Sequence, residues 1–120
     1  MTVQSIILIG DERFNLDFIK NLPKSVDTRS HEPDDSRYVL EYVNDRIYYD
    51  YLPEGILDYE KSELLHLPFR SPRFIAMLYT SNEIMRDFFL KNAKYLANIY
   101  IDNDLGEIVP IQEFMYKLKV

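Results

Sequence analysis

The spacing of hydrophobic and polar positions changes along the chain, and each change marks an element. Val3 to Ile9 is largely apolar and β-branched, the pattern of a strand covered on both faces, and Gly10 and Asp11 end it. A short helix is predicted over Leu16–Leu22, with Asn15 as N-cap, Phe14 and Ile19 as a hydrophobic staple, and Pro23 as its stop. Lys24 to Arg29 reads as a weak strand or an irregular crossing. His31 to Ser36, with Pro33 and two aspartates, reads as a loop.

Two aromatic and β-branched runs, Arg37 to Val43 and Arg46 to Leu52, flank Asn44 and Asp45, which suit a two-residue hairpin turn. With Val43 opposite Arg46, Tyr42 faces Ile47, Leu40 faces Tyr49 and Tyr38 faces Tyr51, all on one apolar side. Glu41, Tyr48 and Asp50 then lie on the other side. Between Pro53 and Leu67 a short helix is expected near Tyr59–His66, and Phe74–Tyr79 is a second continuous apolar run, read as a central strand.

Thr80 and Glu83 form a predicted capping box for a helix over Asn82–Asn92, whose stripe is Ile84, Met85, Phe88 and Phe89. Leu96–Ile101 supplies a third core strand, centred on Asn98–Ile101, and Ile111, Phe114, Met115 and Leu118 recur at helical spacing to close the chain over Ile111–Leu118. Strands that alternate with helices imply a partly parallel sheet. The expected fold is therefore one α/β domain over residues 1–120, a mixed β-sheet with helices packed on its faces and a Tyr-rich antiparallel hairpin at 37–52.

Composition narrows the functional classes. A chain of 120 residues, 47% hydrophobic, with ten tyrosines and seven phenylalanines, can build one core without a disulfide or a metal. Without cysteine there is no thiol nucleophile and no thiolate-ligated zinc or iron–sulfur centre, and a reducing, cytoplasmic setting is expected. The apolar run Ile6–Ile9 is too short for a signal-peptide core or a membrane span and has no basic stretch before it, so neither secretion by that route nor membrane insertion is expected. Net charge −6 and a pI near 4.8 argue against nucleic acid and favour a basic protein partner.

Two constellations compete for function. In a parallel sheet, residues just past the carboxyl ends of strands converge on one edge: Asp11 and Glu12 after the first strand, Thr80 and Ser81 after the middle one, and Asp102 and Asp104 after the last, a set of hard oxygen ligands that would hold Mg²⁺ and orient a phosphate. Against this, Asp102–Gly106 is also a good turn sequence, and Asp11 and Glu12 suit an exposed loop ahead of a helix. His31 and His66 lack further ligands at metal-binding spacing, and three glycines cannot form a phosphate loop.

The second constellation lies mid-chain. From His31 to Glu63 there are ten acids against three bases, and six of the ten tyrosines fall between Tyr38 and Tyr59. Carboxylates steer a basic partner and tyrosines supply contact area with little rotamer entropy to lose. Glu41, Tyr48, Asp50, Asp58, Glu60 and Glu63 are therefore the expected partner-binding residues, with no catalytic residue and no cofactor. In size, charge and composition the chain resembles small toxin-neutralising immunity proteins, which implies a non-enzymatic protein that neutralises a basic partner. The Mg²⁺-dependent enzyme is the alternative, and a small-molecule sensor that uses the same strand edge without metal is the third reading.

Overall fold

The computed structural model describes residues 3–25, 28–103 and 106–118. Seven strands form one sheet in the order β2-β3-β4-β5-β1-β6-β7, where β1 is Gln4–Gly10, β2 Arg29–Asp34, β3 Arg37–Glu41, β4 Arg46–Leu52, β5 Arg73–Tyr79, β6 Tyr100–Asp102 and β7 Ile108–Pro110. The helices are α1 (Leu16–Lys20), α2 (Lys61–Leu64), α3 (Asn82–Asn92) and α4 (Ile111–Leu118), with a 3₁₀ turn at Gly55–Asp58.

Every neighbouring pair of strands is antiparallel, which overturns the expected mixed sheet. The alternation of strands and helices misleads for a definite reason. β5 and β6 do run in the same direction and α3 does join them, but β1 lies between the two and is antiparallel to both.

The expected hairpin register is also corrected. β3 and β4 pair with Glu41 opposite Arg46, Leu40 opposite Ile47 and Tyr38 opposite Tyr49, two residues away from the expected alignment. The turn falls at Val43–Asn44 because Asp45 is held in the ribbon: the Tyr42 N–H donates to the Asp45 carbonyl at 2.8 Å, and the Thr80 hydroxyl donates to Asp45 Oδ1 at 2.9 Å. A two-residue slide preserves which side each residue faces. Tyr38, Leu40, Ile47 and Tyr49 are buried together, with Tyr42 and Tyr51 packed at the margin.

Three local readings change as well. His31–Ser36 is not a simple loop, since Arg29–Asp34 forms the edge strand β2; all six side chains are exposed and a bulge lies between His31 and Asp34, so no alternation marks it. The core strand near Leu96 is confined to Tyr100–Asp102, and Leu96 and Ile99 reach the core from turns. Ser81, not Thr80, caps α3: its hydroxyl accepts the Glu83 N–H at 3.1 Å, while Thr80 is engaged with Asp45 and with the Arg46 N–H. Asn15 does cap α1, accepting the Phe18 N–H at 3.0 Å.

The longer helices share one face of the sheet. Leu16 and Ile19 of α1, Ile84, Met85, Phe88 and Phe89 of α3, and Ile111 of α4 pack on Ile6, Leu8, Leu40, Ile47, Tyr49, Ile75, Met77 and Ile101. The opposite face is covered at one end by the segment between β4 and β5. There Leu67, with partly buried Tyr59, Leu64 and Phe69, packs on Ile9 and Phe74. Among the described residues no helix is long and apolar enough to cross a membrane.

Gly55 lets that segment lie close to the sheet, because a Cβ there would stand 2.8 Å from Cβ and Cγ of Phe74. Phe74 is buried and near its own backbone at those atoms, so it cannot yield without repacking. Gly55→Ala is therefore expected to destabilise the protein by about 1–3 kcal/mol, read as a lower urea midpoint with an unchanged slope.

Candidate functional site

The antiparallel sheet separates the strand-edge acids. Asp11 and Glu12 follow β1, whereas Asp102 pairs with Ile7, so roughly 13 Å of strand lies between Asp11 and Asp102. Thr80 and Ser81 stand at the far end of β1, beside its start at Gln4. Asp104 lies outside the described residues. Among the described residues no group of three or more His, Cys, Asp or Glu is placed to hold a metal ion. The carboxyl-end convergence expected of a parallel sheet does not form, and Asp102 instead accepts a 2.6 Å hydrogen bond from the Tyr59 hydroxyl. In the turn that follows, the Glu107 N–H donates to Asn103 Oδ1 at 3.1 Å and Gly106 adopts φ +77°.

Glu41, Tyr48 and Asp50 share the sheet face away from the long helices, but not as a free acidic patch. Asp50 receives a two-pronged hydrogen bond from Arg37, Nε at 2.6 Å and Nη2 at 2.8 Å. The same guanidinium lies 5.1 Å from the centre of the Tyr48 ring. Glu41 has Arg46 Nε at 3.5 Å and His31 Nδ1 at 3.8 Å. Arg37 and Arg46, each across the β3–β4 ladder from its carboxylate, thus offset negative charge on this face.

The remaining candidates, Asp58, Glu60 and Glu63, sit on the segment that covers the other end of that face. Tyr59 anchors it twice: its ring stacks on Phe74 with centroids 5.1 Å apart, and its hydroxyl binds Asp102. Glu60 and Glu63 form a reciprocal capping box for α2, in which Glu63 Oε1 accepts the Glu60 N–H at 2.9 Å. Among the described residues, none of Glu54, Asp58, Glu60 and Glu63 forms an ion pair with a basic side chain. Glu41 and this segment lie toward opposite ends of β4, roughly 20 Å apart along the strand, so the six expected residues do not make one patch.

What the sequence reading missed is the apolar component of this segment. Ile56, Leu57 and Leu65 are 42%, 75% and 80% exposed, while Tyr59, Leu64 and Leu67 turn inward. The available signal was a surplus of apolar residues in a stretch too short to bury them all. The candidate site is thus three outward aliphatic side chains on a segment with four acids and one lysine. No known protein-family model matches the chain, and no curated protein or solved structure is significantly similar to it.

Burial raises the pKa of three tyrosines. Tyr49 is held well above its ordinary 10.0 by complete burial, Tyr59 by partial burial and the Asp102 carboxylate, and Tyr42 is pushed up to about 12 by burial and by Asp87. Since the folded pKa values exceed the unfolded ones, the resulting stability is fully present below pH 10 and is lost as pH rises through the folded values. For Tyr42 that window runs from pH 10.0 to about 12. The tyrosinate absorbance of Tyr42, Tyr49 and Tyr59 is expected to appear in a cooperative step that coincides with loss of helical circular dichroism. In Tyr59→Phe the urea midpoint at neutral pH should fall, by about 1–2 kcal/mol of stability.

Proposed function

We propose that this is a small, acidic, non-enzymatic binding protein that contacts and neutralises a basic protein partner, in the manner of immunity proteins, through its Glu54–Leu65 segment. The observation that carries the reading is the pairing of exposed Ile56, Leu57 and Leu65 with four acids that, among the described residues, form no ion pair and are accompanied by a single lysine, Lys61. An apolar centre with a charged rim is the usual composition of a specific protein interface. The carboxylates Asp58, Glu60 and Glu63 steer a cationic surface, and Leu57 and Leu65 supply the desolvated contact. Glu41, Tyr48 and Asp50 face the same way, but Glu41 and Asp50 are paired with arginines, Tyr48 lies against Arg37, and Glu41 is at the far end of β4, so these residues stand outside the proposed surface.

The sheet edges favour docking on this segment over strand addition. β2 is interrupted by a bulge and Pro33, and β7 is three residues long and ends at Pro110, so neither offers a long run of free backbone groups. The absence of cysteine favours a reducing, cytoplasm-like compartment.

The two contributions separate kinetically once the partner is recovered by pull-down. Asp58→Asn/Glu60→Gln should slow association and flatten its salt dependence, since surface charges act over a Debye length of about 8 Å. Leu57→Ala/Leu65→Ala should accelerate dissociation, with a loss on the order of 2 kcal/mol or more if either residue is a hot spot. Unchanged rates for both pairs, measured by surface plasmon resonance at two salt concentrations, would sink the assignment.

A further inference from the structure

A groove at the carboxyl end of β1 has no role in the docking surface described above. It consists of two adjoining cavities of about 450 and 340 Å³ that share Asp11, Phe69, Asn98 and Ile99 as walls. These volumes lie in the range of roughly 300–1,000 Å³ typical of small-molecule sites. The two halves differ in chemistry. The larger is mixed and has the charged and polar side chains Glu12, Arg70 and Gln112 on its lining, and the smaller is mainly aromatic, with Phe14, Phe18 and Tyr95, and has Arg13, which lies beside Asp11, on its lining.

The aromatic half is preformed. Gly10 has no side chain because a Cβ would come 2.5 Å from Cβ and Cγ of Phe14, which is buried and packs edge-on to Phe18 with centroids 5.5 Å apart. Phe69 is fixed edge-on against Tyr100 at 5.8 Å. In the polar half two opposite charges stand uncompensated: among the described residues, neither the Glu12 carboxylate nor the Arg70 guanidinium has an ion-pair partner. Asp11 is engaged locally, accepting the Arg13 N–H at 2.9 Å with the Arg13 guanidinium 3.9 Å away.

We propose that this groove binds a small zwitterion bearing an aromatic ring, the chemistry of a free aromatic α-amino acid. The ring occupies the Phe14–Phe18–Tyr95 half, the ammonium faces Glu12 and the carboxylate faces Arg70. A ligand with one charge would meet an opposite charge on one wall and a like charge on the other, so the lining selects a molecule carrying both. Charge-assisted contacts to each end supply the selectivity, and the aromatic half supplies apolar burial.

The test is an NMR titration of the intact chain with phenylalanine, phenethylamine, 3-phenylpropionate and alanine. Phenylalanine is expected to shift the amides of Asp11, Phe69, Asn98 and Ile99 saturably, with each of the other three compounds binding roughly tenfold or more weakly. Arg70→Gln should erase the preference for phenylalanine over phenethylamine, and Glu12→Gln the preference over 3-phenylpropionate. Both side chains are exposed, so the amide shifts of β5 should stay unchanged and report an intact fold. The proposal is overturned by the absence of saturable shifts with phenylalanine, by equal binding of the singly charged analogues, or by preferences that survive both substitutions.

Discussion

The central strands β1 and β5 are apolar on both faces, and the rest of the molecule is arranged to keep water from each. Leu8 and Ile9 are neighbours that point to opposite sides of the sheet, and both are 0% exposed. Full burial of such a side chain stabilises the fold by roughly 1.5–3 kcal/mol, so neither side can be left open. The long helices α3 and α4, with α1, meet that requirement on one side. On the other it falls to the segment between β4 and β5, which has only two short helical turns and must be held by single anchors such as Tyr59.

That division of labour decides where the charge and the spare hydrophobic surface appear. A thin cover has too little interior to bury all of its own apolar residues, so Tyr59, Leu64 and Leu67 go inward while Ile56, Leu57 and Leu65 are left outside among acids. The ribbon end of the same face has no such cover. Its carboxylates are instead neutralised across the strands by Arg37 and Arg46, and Arg37 shields Tyr48. Four of the ten acids in the middle of the chain lie on the covering segment, and none of these four is in an ion pair among the described residues, whereas Glu32, Glu41 and Asp50 are paired with basic side chains.

Elements whose pattern follows from burial were legible in the sequence. The apolar runs of β1 and β5, and the stripes of α3 and α4, reflect packing that leaves a direct periodic imprint. Topology was not, because an insertion of β1 between β5 and β6 changes parallel neighbours into antiparallel ones without altering any local pattern. The hairpin showed which residues share a face but not the alignment, since a slide of two residues leaves every face unchanged and the deciding contact, Thr80 to Asp45, comes from a residue remote in sequence, just past the neighbouring strand β5. Edge strand β2 carried no signal at all, being exposed throughout. The strand-edge site failed with the topology. For the partner site, the acids Asp58, Glu60 and Glu63 were visible in composition, whereas the ion pairs that occupy Glu41 and Asp50 required the register.

Site-specific photo-crosslinking in the producing cell tests most directly whether the covering segment is the contact surface. A photoreactive residue is placed in turn at four exposed positions, Leu57 and Leu65 on the covering segment and Val43 and Tyr116 elsewhere on the molecule. The account predicts one common adduct from Leu57 and Leu65, lost when Asp58, Glu60 and Glu63 are changed to their amides, and none of that species from Val43 or Tyr116. An adduct trapped equally from all four positions, or only from Val43 or Tyr116, would contradict it.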